Sequence, residues 1–143
     1  MTLDVIGTAG HSAESLSFYL REEKALFSGD AIPVPGDIPI YISPRDSIGS
    51  LRKLLDLPDV DCVYSAWDEP RKGKEVRRVM ETALDVLTRI DTAVRQTVVR
   101  VNVLNEDILM TEIGRTLGLE HFVKLPLLRK SLAYHVAEVL AEC

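Results

Sequence analysis

The sequence predicts an α/β fold: one sheet with helices packed on one face, followed by a helical C-terminal extension. Three observations carry this reading. Short apolar runs at residues 3–6, 15–20, 25–27 and 60–64 have the length and the β-branched or aromatic content of strands. Apolar residues at helical spacing run through 44–55 and from about 74 to 94. The last third holds two more capped helical patterns and no strand-like alternation beyond residue 103.

Taken in order, Leu3, Val5 and Ile6 form a first strand that stops at Gly7. Gly7 and Gly10 bracket His11 and let the backbone turn tightly, placing the imidazole at a strand end. Residues 15–20 and 25–27 flank the charged turn Arg21-Glu22-Glu23-Lys24 and read as a hairpin that exits at Asp30. Pro33, Pro35 and Pro39 exclude a central strand or a helix over 31–39, so this is a loop. Its apolar content implies that it packs on something.

A helix starts at Ser43, a good N-cap, with Pro44 at N1 and Asp46 at N3. Ile48, Leu51, Leu54 and Leu55 form its apolar stripe, and Leu57-Pro58-Asp59 stops it. After the strand at 60–64, Val76, Val79, Met80, Ala83, Leu84, Leu87 and Ile90 mark a long amphipathic helix. Val99, Val101 and Val103 alternate with Arg100 and Asn102, which suits a strand, but extension of the helix with a break near Asn105 is the preferred reading. Asn105 caps a helix that ends at Gly118. Pro126 opens the last helix, with Leu128, Leu132, Val136 and Val139 on one side. His135 shares that stripe and reads as a core or edge histidine; His121 reads as an exposed loop residue.

Composition bounds the function. A chain of 143 residues, 46% hydrophobic and 27% charged, is that of one folded domain. A net charge of −5 argues against nucleic acid as a partner. No apolar run reaches the ~20 residues of a membrane span. The absence of a secretory leader after Met1, and two cysteines (Cys62, Cys143) without metal-ligand spacing, fit a cytoplasmic protein. Arg71, Lys72, Lys74, Arg77 and Arg78 form a basic cluster that reads either as an anion grip or, preferably, as a solvated helix face.

With these residues in hand, a resemblance can be named. Thr8-Ala9-Gly10-His11-Ser12, then Leu16-Ser17-Phe18-Tyr19-Leu20, then Leu26-Phe27-Ser28-Gly29-Asp30-Ala31 resemble the second half of a metallo-β-lactamase-fold hydrolase. In that family a T-x-G-H-[ST] motif supplies a metal-binding His, and an L-F-x-G-D motif supplies an Asp that bridges two metals. The helix around 50–55 and the strand at 60–64 continue the pattern, so the resemblance covers about residues 3–73 well and the tail loosely. Three departures stand out. The upstream H-x-H-x-D-H motif is absent, the histidines being His11, His121 and His135 alone. Trp67, in Ser65-Ala66-Trp67-Asp68, stands where the family's last His falls. Glu14 stands where the family often has Gly.

The resemblance implies half of an αββα sandwich: one mixed sheet over residues 1–73 with helices on one face, and a helical extension, 74–143, packed on it as a single unit. It implies His11 and Asp30 as metal ligands, zinc or another divalent metal as cofactor, and Asp68 as a possible substitute ligand. No catalytic residue is assigned. Either the pair is a residual ligand pair or it is inherited and hydrogen-bonded to backbone and to each other. Trp67 is expected to be a packing residue in the space of the lost ligand. In the enzymatic reading a metal-activated water attacks an ester, thioester, amide or phosphodiester. The chain is then a truncated hydrolase, inactive alone. The alternative is a non-catalytic dimerising or partner-binding module derived from one. The sheet face that normally meets the other half needs a cover. Candidates are a second copy in a homodimer, a complementing N-terminal-half polypeptide, or the C-terminal helices folded back.

Overall fold

The structure is a computed structural model, and it describes residues 1–101 and 105–142. The readings of Asn102, Val103 and Cys143 lie outside the described residues.

Strands β1 (Leu3–Gly7), β2 (Leu16–Leu20), β3 (Ala25–Gly29), β4 (Cys62–Ser65) and β5 (Arg71–Lys72) form one sheet in the order β1-β2-β3-β4-β5. Neighbours are antiparallel except β3 and β4, which are parallel. The sheet is therefore mixed, as expected. A parallel pair requires a crossover, and helix α1 (Pro44–Leu55) provides it between β3 and β4. Ser43 caps α1 as its sequence predicts: its Oγ accepts from the Asp46 N–H at 3.1 Å, with Pro44 in the first turn. The same hydroxyl donates to Glu138 at 2.8 Å, which ties this cap to the last helix.

Helix α2 (Lys74–Arg100) is longer than the apolar stripe alone marks, because the Val99 region continues the helix rather than forming a strand. Val99 itself is exposed. Helix α3 (Glu106–Leu117) is capped by the Asn105 side chain, which accepts from the Ile108 N–H at 3.1 Å, and ends at left-handed Gly118. Helix α4 (Pro126–Ala141) buries Leu128, Leu132, Val136 and Val139, the stripe read from the sequence. Both α3 and α4 pack against α2, and α1 packs against it from the sheet side. One hydrophobic cluster runs through all these layers, from Tyr19, Leu26 and Val63 on the sheet through Leu51, Leu54, Met80 and Leu87 to Leu109, Ile113 and Leu132. The Pro-rich loop contributes Ile32 and Tyr41 to it, so its apolar residues do pack.

The basic cluster divides. Arg71 and Lys72 are not helical; they form the edge strand β5, which pairs with Cys62 and Val63. Arg77 pairs with Glu81 at 2.8 Å and Arg78 with Glu75 at 3.4 Å, both exposed along one helix face. Such spacing at i,i+3 and i,i+4 is ordinary solvated-helix chemistry.

The opposite sheet face is open. Alternation places Val5, Phe18, Phe27 and Tyr64 in register across four strands on this face. Leu3, Val5, Leu16, Phe27 and Tyr64 are exposed, Val5 by 60%, and the Phe27 and Tyr64 rings stack at 4.9 Å. The C-terminal helices do not fold back over it. They lie on the helical side, because α2 presents its apolar stripe to α1, α3 and α4 together. Among the described residues no helix is long and apolar enough to cross a membrane.

Candidate functional site

The loops after β1 and β3 meet at one end of the sheet. The β1–β2 connection carries Thr8 to Ser15, and its path is held from three sides. Thr8 N–H donates to Ser15 O at 2.9 Å, and the Ser50 hydroxyl of α1 donates to Ala9 O at 2.7 Å. Gly10 O accepts from the N–H groups of Ile42 and Ser43. Gly10 sits at φ +141°, and a Cβ on it would lie 2.3–2.6 Å from Ser47 atoms, two of them backbone. The loop can therefore reach α1 only because residue 10 has no side chain.

His11 follows directly. Its Nδ1 lies 2.8 Å from Ile40 O. A carbonyl only accepts, so Nδ1 carries a proton, and in the neutral ring Nε2 keeps its lone pair. That Nε2 faces Asp30 Oδ2 at 3.9 Å, and both side chains are about 40% exposed. The two are too far apart for a hydrogen bond. Of the inherited-residue reading, the backbone bond is present and the mutual one is absent. A histidine tethered through one ring nitrogen, with the other turned towards a carboxylate, is the arrangement metal-ligating histidines adopt. Two ligands on one zinc, at about 2.0–2.2 Å each and tetrahedral, stand about 3.4 Å apart. The observed gap is about half an ångström wider.

Asp30 comes from the turn after β3. Left-handed Gly29, at φ +55°, ends the strand, and its carbonyl accepts from the Ala66 N–H at 2.9 Å. This bond brings the β4 exit, and with it Trp67, to the same place. His11, Asp30, Ala66 and Trp67 line a cavity of about 220 Å³. Its other walls are Ile32, Pro33, Val34, Asp37, Ile38, Pro39 and Ile40.

Trp67 does not fill the space of a lost ligand. It is 88% exposed, at the cavity's rim. Its φ is +66°, a conformation that costs a bulky residue about 1–3 kcal/mol. The packing expectation fails because the flanking residues hold the backbone in that turn. Ala66 is bonded to Gly29 on one side, and Asp68 is locked on the other. Both Asp68 oxygens accept from the Arg71 guanidinium, at 2.9 and 2.7 Å, and one also accepts from the Glu69 N–H at 2.9 Å. The Arg71 hydrogen bonds hold the Asp68 carboxyl below its ordinary pKa. Asp68 is not among the cavity-lining residues, and its oxygens are committed to Arg71.

Among the described residues, no group of three or more His, Cys, Asp or Glu side chains is gathered to hold a metal. The donor set of His11 and Asp30 fits a divalent metal, but it supplies only part of one coordination sphere. His121 is exposed. His135 is fully buried far along the chain, where Tyr41 and Asp91 hold it. Neither that trio nor the wall of the cavity is legible in the sequence, although an apolar Pro-rich run directly after a candidate ligand is a usable signal for the wall.

The comparisons agree with this geometry. Residues 2–67 match the family model of the metallo-beta-lactamase superfamily. The chain is 32% identical over 109 residues to beta-lactamase-like protein 2 homolog of Caenorhabditis elegans, covering 62% of this chain and 37% of that protein. It is 29% identical over 146 residues to hydroxyacylglutathione hydrolase of Mesorhizobium japonicum, covering 98% of this chain and 56% of that one. A crystal structure of a metallo-beta-lactamase family protein from Thermus thermophilus superimposes with a TM-score of 0.69 at 20% identity, over 98% of this chain and 44% of that one. The chain thus spans between about a third and somewhat more than half of these proteins. The motif loops converge on one cavity, and the family model covers both motifs: residues 2–67 are similar to the metallo-β-lactamase superfamily, and the chain has the fold of a fragment of such a protein.

Proposed function

We propose that this chain contributes His11 and Asp30 to the site of a metal-dependent hydrolase, the remaining ligands coming from outside these residues. One observation carries the reading: the Nδ1 tether to Ile40 O leaves the His11 Nε2 lone pair facing Asp30 at 3.9 Å. When bound, a divalent metal such as zinc supplies Lewis acidity for attack on an ester, thioester, amide or phosphodiester. The chain's own residues do the rest. His11 and Asp30 present one neutral nitrogen and one carboxylate. The Ile40 carbonyl fixes the tautomer. The apolar wall behind them excludes water from one side of the reacting group. Relatives named as hydrolases of hydroxyacylglutathione favour acyl over phosphoryl chemistry.

Calorimetric zinc titration, with native mass spectrometry to count ions and subunits, tests this. The intact chain should take up zinc weakly, since two ligands are fewer than a zinc site needs. His11→Ala and Asp30→Ala should each weaken that uptake by about tenfold or more. Undiminished zinc binding by His11→Ala would remove the assignment.

A second reading, a non-catalytic dimerising or partner-binding module, is favoured by two observations. Trp67 occupies the rim where a further ligand would stand, and an indole N–H only donates. The apolar sheet face is also open, to a second copy or to a complementing N-terminal-half polypeptide. Trp67→His discriminates. It should raise zinc affinity by about tenfold or more if the position is directed at the His11–Asp30 pair. An unchanged affinity would favour the module. A cytoplasmic setting suits either reading.

A further inference from the structure

Trp67 is the chain's only tryptophan. It stands almost wholly in solvent, yet its backbone is clamped in a left-handed turn by bonds on both sides: Ala66 N–H to Gly29 O, and the Asp68–Arg71 fork. Beside it lies a cavity of about 220 Å³. Its apolar lining includes Ile32, Pro33, Val34, Ile38 and Pro39. An apolar cavity of about 150 Å³ is enough for a benzene-sized guest. The carboxylates on the lining are Asp30 and Asp37. Asp37 is no part of the proposed metal pair, so an anionic guest would meet like charge at Asp37 even with a metal bound, while an uncharged one would not.

We propose that Trp67 is a specificity-determining platform. It stacks on an uncharged aromatic or apolar group of the substrate, which the cavity wall encloses, and so brings the scissile acyl group to His11 and Asp30. This rests on the hydrolase reading above. The substrate class is a neutral aryl or short alkyl acyl derivative, not one whose entering group is a carboxylate or phosphate. Stacking on a rigid indole supplies contact area with few rotors to freeze.

The test uses the intact chain and 3-phenylpropanamide, a neutral amide that resembles the aryl acyl part of such a substrate and does not absorb where tryptophan is excited. Trp67 emission should shift saturably with this amide and not with acetamide. By calorimetry, Trp67→Ala should weaken binding about tenfold, and Trp67→Phe should stay within about threefold of the parent. The titration is run with zinc and with a chelator. Saturation in both supports the platform, even if zinc itself fails to bind, in which case only the metal assignment falls. A linear, non-saturating response equal to that of free N-acetyltryptophanamide would overturn the platform, as would a Trp67→Ala variant that binds the amide like the parent. Either result leaves the metal assignment standing if zinc still binds.

Discussion

Gly10→Ala is expected to destabilise the chain by about 3–4 kcal/mol and to take His11 out of position. Two effects add. The residue's φ of +141° lies where an L side chain is strained. The new Cβ would also meet Ser47 Cα and N at 2.6 Å, and those are backbone atoms of α1 that cannot swing aside. Either the β1–β2 loop lifts from α1 or the first turn of α1 shifts. Lifting the loop breaks the bonds from Ile42 and Ser43 to Gly10 O, and with them the register that sets Ile40 O against His11 Nδ1. Thermal unfolding should show a melting temperature lower by about 10–15 °C. Gly7→Ala is the control, because a Cβ there meets nothing within 4 Å. Equal melting of the two variants would mean that the close approach at Gly10 is not rigid. Zinc uptake by Gly10→Ala should fall further than its stability loss explains.

His135→Ala should cost about 3 kcal/mol, for a different reason. His135 is fully buried between three elements. Its Nε2–H donates to Asp91 Oδ1 of α2 at 3.0 Å, and its Nδ1 accepts from the Tyr41 hydroxyl at 2.9 Å. Removing the ring leaves a buried hydroxyl and a half-buried carboxylate without that partner. Arg95 keeps Asp91 ionised. Burial pushes the Asp91 carboxyl up, but the bonds from Arg95 and His135 outweigh it, and the net shift is downward. Arg95 in turn reaches Glu142, which Arg45 also grips, and these two cations hold the Glu142 carboxyl down at about 2. The chain from Tyr41 to Glu142 thus staples α4 to α2 and to the α1 entry.

The same site gives a pH dependence. Burial lowers the His135 pKa from its ordinary 6.5, against the raising influence of Asp91 and Glu138. The unfolded chain therefore binds a proton at this residue below about pH 6.5 that the folded chain does not yet bind. Stability is fully present above that value and declines as the pH falls towards the folded pKa. A protonated ring would also donate from Nδ1, and the Tyr41 hydroxyl would have to turn its proton elsewhere. Urea titrations at pH 7.5 and 5.5 should give a lower midpoint at the acid end, and His135→Gln should flatten most of that difference (pH values set about one unit either side of the ordinary histidine pKa). An unchanged slope in His135→Gln would place the acid sensitivity in another group.

Much of the scaffold is legible in the order of residues, because it depends on neighbours in sequence. Short apolar runs mark β1 to β4, and a period near 3.6 marks α1, α2 and α4. Ser43, Pro44, Asn105 and Gly118 punctuate helices by satisfying or ending local backbone bonds, and each does so in the structure. His11 and Asp30 are singled out by the resemblance of their motifs, not by spacing or glycines alone. What the sequence cannot carry is whatever depends on bonds between distant segments. The two-residue strand β5 exists only because β4 offers it an edge. Trp67 looks like filler in sequence, and it projects into solvent because Gly29, far back in the chain, and the neighbouring Asp68–Arg71 fork fix its turn. Asp68 looks available as a ligand and is spent on Arg71, three residues on, in the strand that β4 pairs with. His135 looks like one more apolar-stripe position, and its partners lie 44 and 94 residues away. Local chemistry decided the elements. Only the bonds between the loops after β1, β3 and β4 decided which side chains meet in the cavity, and only the stacking of the helices on one side decided which face of the sheet was left uncovered.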